Sequence, residues 1–369
     1  ALPILERWRG AGEIFVCSFI ALSSPPELSL PKWKIIEKIL IADPYRMLRG
    51  VVSAILRLKN RESRNWIIHF LKQRDSDLTK IIAWRCLAAS SNIISQVDKE
   101  SLYFIFRDSL NSENKFLRVS ACRAIHSFDS SAEISKLYIN DEEFIVSAEA
   151  GIISSQYDNC NYGIDAIWRA IYKMATISLT QKGYDKFKSL HSLNRLVRYF
   201  GIFSPIGHPS IPKLLDILPT RLSILFLINH ADPRYLPWIK NQLINPECSR
   251  LAGWAWSALC GIDIEKSNLT YPPMKLDSEN INLTDDLDPG LPLPIFEKIN
   301  AIDISSIPDE SYLYFHFRSL SGCLNILKNG PQSLRWAASQ RIKKFQNDDF
   351  SSFSIKSDAR SQLIILNKY

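Results

Sequence analysis

The stretch NPECSRLAGWAWSALCGIDI, Asn245 to Ile264, carries the clearest local pattern in the chain. Asn-Pro opens it. The Asn side chain can cap a helix and the proline brings a pre-set φ to the first helical position, so a helix is expected to begin there. Leu251, Ala252, Ala255, Ala258 and Leu259 recur at spacings of three and four, and Gly261 stands where a helix closes in a left-handed residue. Small residues on that packing face let a neighbouring helix come close. A short helix packed among others is expected, and similar helices recur along the whole sequence.

From the N-terminus, Ile4 to Leu22 reads as a helix broken by Ser23-Ser24-Pro25-Pro26, with a restart at Ser29-Leu30-Pro31 that runs to Leu40. Ala42-Asp43-Pro44 turns into RMLRGVVSAILRL, Arg46 to Leu58. Arg74 to Ala89, Asn111 to Phe128 and Ile139 to Ser155 are further second helices, each preceded by a first. Aligned on Arg49, Lys80, Arg118 and Ile145, they step by 31, 38 and 27 residues. Two helices per step of that length point to an all-α, HEAT or armadillo-like α-solenoid, right-handed and of about seven helical hairpins. Each turn acid would cap a helix, and each early cation would lie across the ladder between repeats. The middle is less regular: Ile164 to Leu179 is a longer helix, Lys182 to Arg198 is basic, and His208 and Asp232 sit at turns before proline as caps.

Beyond Gly261 the composition changes. Asp263 to Pro294 is rich in Pro, Asp and Asn without helical period, too long for an idle loop in a compact domain. The chain thus reads as a solenoid over 1–262, an acidic irregular arm over 263–310, and a C-terminal hairpin and tail over 311–369. The final LIIL is expected to pack as a cap or a last strand.

Charge is divided in the same way. The net charge is +7, yet Asp277 to Glu310 holds nine acids against Lys298 alone, a balance of −8, so the remainder carries +15. A basic body beside an acidic segment implies a self-covering arm or two partner surfaces. The seven cysteines are scattered and odd in number, without a C-x-x-C pair, as in reduced, buried thiols of a cytoplasmic protein. No apolar run of eighteen residues is present, so no membrane span is expected.

The residues of the opening stretch, RLAGWAWSALCGIDIEKSNL, resemble the R-L-A-G-E-A-x-x-x-x-T-G-x-D-L segment of a bacterial HEAT-like family found in type VI secretion gene neighbourhoods. Ala231-Asp232-Pro233 to Trp238 resembles that family's G-D-P-x-x-x-x-W-L turn. The arm ending LPLP is similar to its acidic linker, and QSLRWAASQRI to its R-x-R-A-A-x-x-L helix. The likeness runs from about Trp8 to Phe345, with Trp254 standing where the family has Glu and Cys260 where it has Thr. It implies a protein-binding role. The partner would be a cognate effector toxin encoded nearby, which the chain would neutralise as an immunity protein; an adaptor or chaperone that loads effectors is the alternative.

Residue chemistry points away from catalysis. No G-x-S-x-G, H-E-x-x-H, Walker or G-x-G-x-x-G pattern occurs, so no enzyme, no small-molecule substrate, no cofactor and no metal is expected. His230 and Asp232 flank one turn, where a capping role outweighs a catalytic one. Nucleic acid is a rival ligand, through Arg49, Arg57, Arg64, Arg85 and Arg123 with Trp66 and Trp84 interleaved. Trp84, Arg85, Arg123 and Glu149 on second helices, with Asp285, Asp286 and Asp288 on the arm, are the expected partner contacts; the competing role for each is an internal ion pair or a solvated charge.

Overall fold

The computed structural model describes residues 3, 5, 7, 10–129, 133–157, 161–272, 288, 290–306, 319–330, 332–345 and 359–366. Among them the fold is all-α: every regular element is a helix, and the one extended pairing is an antiparallel bridge between Thr270 and Pro294. Contacts divide the chain into two compact units, Ala1–Ala166 and Ile167–Tyr369. That boundary reflects packing, whereas the arm read from the sequence reflects composition, so the two divisions fall in different places.

The first unit holds α1 (Ala11–Leu22), α2 (Pro26–Ala42), α3 (Pro44–Ile55), α4 (Asn60–Lys72), α5 (Asp77–Ala89), α6 (Gln96–Leu110), α7 (Lys115–Arg123), α8 (Glu133–Lys136) and α9 (Phe144–Tyr157). Second helices pack in series, α1 on α3, α3 on α5, α5 on α7 and α7 on α9, while α2, α4 and α6 form a parallel series of first helices. A continuous apolar core runs through the unit from Leu5 to Ile153, with Trp33, Trp66, Trp84, Phe70 and Phe106 wholly inside. Trp33 stands 4.7 Å from Phe70, and Phe106 stacks on Phe128 at 4.5 Å.

Helix starts follow their caps. Asp43 accepts from the Arg46 N–H at 3.2 Å, as the Asp-Pro turn requires. Ser76 and Asn114 cap α5 and α7, so these helices begin three or four residues later than the apolar period alone suggests. Ser95 and Asp98 form a reciprocal capping box at α6. Conversely, α2 begins at Pro26 and carries Pro31 within it, where the sequence suggested a restart at Ser29. Of the expected ladder cations, Arg118 fills the role, with both terminal nitrogens and its Nε engaged by Asp141 and the Ser112 and Glu113 carbonyls. Arg49 instead points to solvent.

In the second unit, reached through α10 (Asn161–Thr180), α11 (Gly183–Phe203) packs on α13 (Thr220–His230), and α13 on α15 (Ser249–Cys260). Short helices α12 (Ile211–Ile217), α14 (Leu236–Asn241) and α16 (Phe296–Asn300) join them. A later pair, α17 (Leu320–Asn329) and α18 (Gln332–Phe345), returns to lay α18 on α11. The tail forms helix α19 (Ala359–Leu366) and packs on α17, so the strand alternative for LIIL is not what forms.

The opening stretch folds as a helix, but from Ser249. Asn245 Oδ1 takes the Glu247 N–H at 3.2 Å and makes a turn first. At the other end Gly261 adopts φ 79°, the left-handed closure its position suggested.

Candidate partner-binding site

Four of the expected contacts lie together in the second-helix series of the first unit, and most of their surface is already used. Trp84 on α5 is fully buried, its Nε1–H donating to Ser109 Oγ at 3.0 Å. Arg85, half-buried, gives its Nε–H to Ser120 Oγ on α7 at 3.3 Å. Arg123 on α7 is ion-paired with Glu149 on α9, whose side chain is 3% exposed. These residues form a polar seam within the packed helices. Trp84 and Glu149 offer a partner no accessible side chain; Arg85 and Arg123 keep partial access.

The physical reason is that α9 is covered all round. From Val146 to Gln156 every residue is buried, and the helix mixes apolar with small residues on all sides. A carboxylate inside such a helix needs a cation, and Arg123 supplies it. Of the residues read as nucleic-acid contacts, Trp66 is buried with its Nε1–H on the Leu22 carbonyl at 2.9 Å and Arg64 is held bidentately by Asp98 at 2.7 and 2.6 Å, while Arg49 and Arg57 are exposed. The Arg64 hydrogen bonds hold the Asp98 carboxyl below the usual carboxylate range, against the opposing effect of burial.

Outward from the seam, the first-helix series presents apolar side chains to solvent. On α2, Leu28 is 72% exposed and Ile35 also faces out; on α6, Val97 is 74% and Phe104 80% exposed. Each pair is spaced i, i+7, which puts its members on one helix face. Between these two helices, α4 contributes Ile68 and His69 to a cleft of about 310 Å³ completed by Pro25, Pro26, Glu27 and Asn65. Sequence reading missed this face because a half-apolar outer helix looks like any amphipathic helix until its packed side is known.

In the second unit the arm is clipped at its ends. The Tyr271 N–H donates to the Leu293 carbonyl at 2.9 Å and the Ile295 N–H to the Leu269 carbonyl at 2.8 Å. Asp288 receives both terminal nitrogens of Arg221 on α13 at 2.7 and 2.8 Å, and Arg250 on α15 donates to the Leu291 carbonyl. Pro294 lies so close to Gly253 that a Cβ there would stand 2.9 Å from its ring. Asp288 is therefore engaged by the chain itself, while Asp285 and Asp286 lie outside the described residues.

At the opposite end of α13 from Arg221 lies a buried polar knot. His230 and Asp232 are both inside, with Nε2 of the imidazole 3.7 Å from the Asp232 carboxylate, beyond hydrogen-bond length. The His230 Nδ1 stands 3.3 Å from the Gly201 carbonyl and 3.3 Å from Ser204 Oγ, and burial lowers the imidazole's pKa. Burial raises the Asp232 carboxyl, but His230 and the bidentate Arg234 outweigh it and hold it below its ordinary range. Asp232 also caps the turn from Pro233, taking the Arg234 N–H at 3.1 Å. Arg341 on α18 donates to the Asn229 and His230 carbonyls, closing the C-terminus of α13. The Ser204 hydroxyl, His230 and Asp232 are all buried, and their partners are the chain's own carbonyls and Arg234, which ties α11, α13 and the Pro233 turn together; among the described residues no group of three or more His, Cys, Asp or Glu is placed to hold a metal.

Among the described residues no helix is long and apolar enough to cross a membrane. Compared with models of known families, with curated proteins and with solved structures, the chain finds no match.

Proposed function

We propose that this chain works by binding another protein, and that the outer face of α2, α4 and α6 is where the partner sits. The observation that carries this reading is the exposure of Val97 and Phe104 on one face of α6, with Leu28 and Ile35 on α2 in the same series. Exposed apolar side chains along a series of packed helices suit a protein surface that covers them, and single exposed aromatics of this kind act as anchors. Arg85 and Arg123 stand on second helices, outside this first-helix face. The narrower reading, a cytoplasmic immunity protein that neutralises a type VI secretion effector, rests on the sequence resemblance alone.

The test is co-purification of the tagged chain with the product of the adjacent gene, followed by the double variant Val97→Asp, Phe104→Asp. We expect at least a tenfold loss of affinity with an unchanged thermal melt, because both side chains stand in solvent. Unchanged affinity would remove the outer face from the assignment. Growth of cells expressing the partner separates the narrower readings: an immunity protein rescues them, whereas an adaptor binds without rescue.

A further inference from the structure

The basic region after α10 folds as the first four turns of α11, and there its aromatic and cationic residues fall on one side. Tyr184, Phe187, Lys188, His191 and Arg195 are spaced i, i+3, i+4, i+7 and i+11, which confines them to a sector of roughly 100° around the helix. The sector extends about 16 Å along the axis. Phe187 is 58% exposed, and Tyr184 and His191 also face solvent. Their rings are ordered in sequence, Tyr184 on Phe187 at 6.4 Å and 12°, then Phe187 on His191 at 6.5 Å and 29°. Cations are set among the rings, with Lys188 Nζ 4.3 Å over Tyr184 and Arg195 4.7 Å over Tyr199. Lys186 is exposed on the opposite side of the helix; Asp185 is the sole acid from Lys182 to Arg198, and its carboxylate lies 3.5 Å from Lys188.

From this arrangement we infer that the exposed side of α11 binds single-stranded nucleic acid, with Tyr184, Phe187 and His191 stacking on bases and Lys188 and Arg195 neutralising phosphates. Stacking surfaces interleaved with positive charge along one track are what a single strand needs, since every base has a π-face and every linkage a charge. A membrane seat would need a broad apolar face to immerse. Here Phe187 is the one wholly apolar side chain of the five in the sector. This surface belongs to α11 alone and is independent of the outer face of α2, α4 and α6.

Fluorescence anisotropy of the full chain with labelled oligo(U) and oligo(dT) of about 15 nucleotides, at two salt concentrations, tests the inference. Binding to both single strands is expected, weakened about tenfold or more by Tyr184→Ala with Phe187→Ala. Lys188→Gln should flatten the logarithmic salt slope by about 0.7, whereas Lys186→Gln, on the far side of the helix, should leave it unchanged. Thermal melts of the variants, all changed at solvent-facing positions, should match the parent. No binding at low salt, or ring variants that bind as tightly as the parent, would overturn the assignment. So would anionic phosphatidylserine vesicles or polyglutamate binding the chain while the oligonucleotides do not.

Discussion

Replacing Arg123 by alanine takes the guanidinium from a carboxylate that has almost no access to water. The loss should be large, about 3–5 kcal/mol, because breaking one side of a buried pair leaves the charge behind. Glu149→Gln removes the charge together with the need for a partner and should cost less; urea unfolding of the two variants checks the order. His230 gives a second expectation. Its folded pKa lies below the ordinary imidazole value, so the native state prefers the neutral ring. Stability from this group is complete above about pH 6.5 and falls as the pH drops below it, since the unfolded chain then takes up the proton more readily. The melting temperature should therefore decline between pH 7 and pH 5, and the decline should be shallower in His230→Phe. These residues show how far the sequence could be read. Arg123 and Glu149 were legible as members of one polar series, but whether they faced a partner or each other depended on the covering of α9. The even spread of small and apolar residues through Phe144 to Tyr157 is the signal of a helix buried all round, and a lone acid within it implies an internal cation.

Helices were legible wherever periodicity met a cap. Asp43, Ser76 and Asn114 explain where α3, α5 and α7 begin, and Gly261 where α15 ends. The start of α15 was misplaced because Asn-Pro can open either a helix or a turn, and the Asn245 side chain chose the turn. The role of Gly253 was hidden for another reason: its neighbour, Pro294, is distant in sequence. Glycine to alanine inside a helix normally gains about 1 kcal/mol. At Gly253 the new methyl would meet the Pro294 ring at 2.9–3.0 Å, so overpacking should reverse the sign and cost about 1–3 kcal/mol. Arg221→Ala, which removes a partly exposed clasp to Asp288, should cost only about 1 kcal/mol. Urea titrations of both variants test whether the packed proline or the ion pair holds the base of the arm more firmly.

At the scale of the molecule, the all-α class was readable from helical periodicity, and in the first unit the sequence repeats a paired-helix requirement at steps of 27 to 38 residues. The six described cysteines all lie inside. Burial raises Cys260 to about 12 and Cys323 to about 11, so at neutral pH they are thiols, which react poorly. In a Cys160→Ser chain, labelling by a disulfide reagent at pH 8 should therefore proceed only as fast as the fold opens. The ends of the arm have a different implication. Leu269 and Tyr271 are hydrogen-bonded to Ile295 and Leu293, so whatever lies between begins and finishes at one spot on the helices. Changing the length of a segment whose ends already meet costs little, about 0.6 kcal/mol for each doubling. A chain shortened or lengthened between Tyr271 and Asp288 should therefore melt at nearly the same temperature as the parent, because the backbone bonds at Leu269 and Tyr271 hold both ends together whatever the length of the insert.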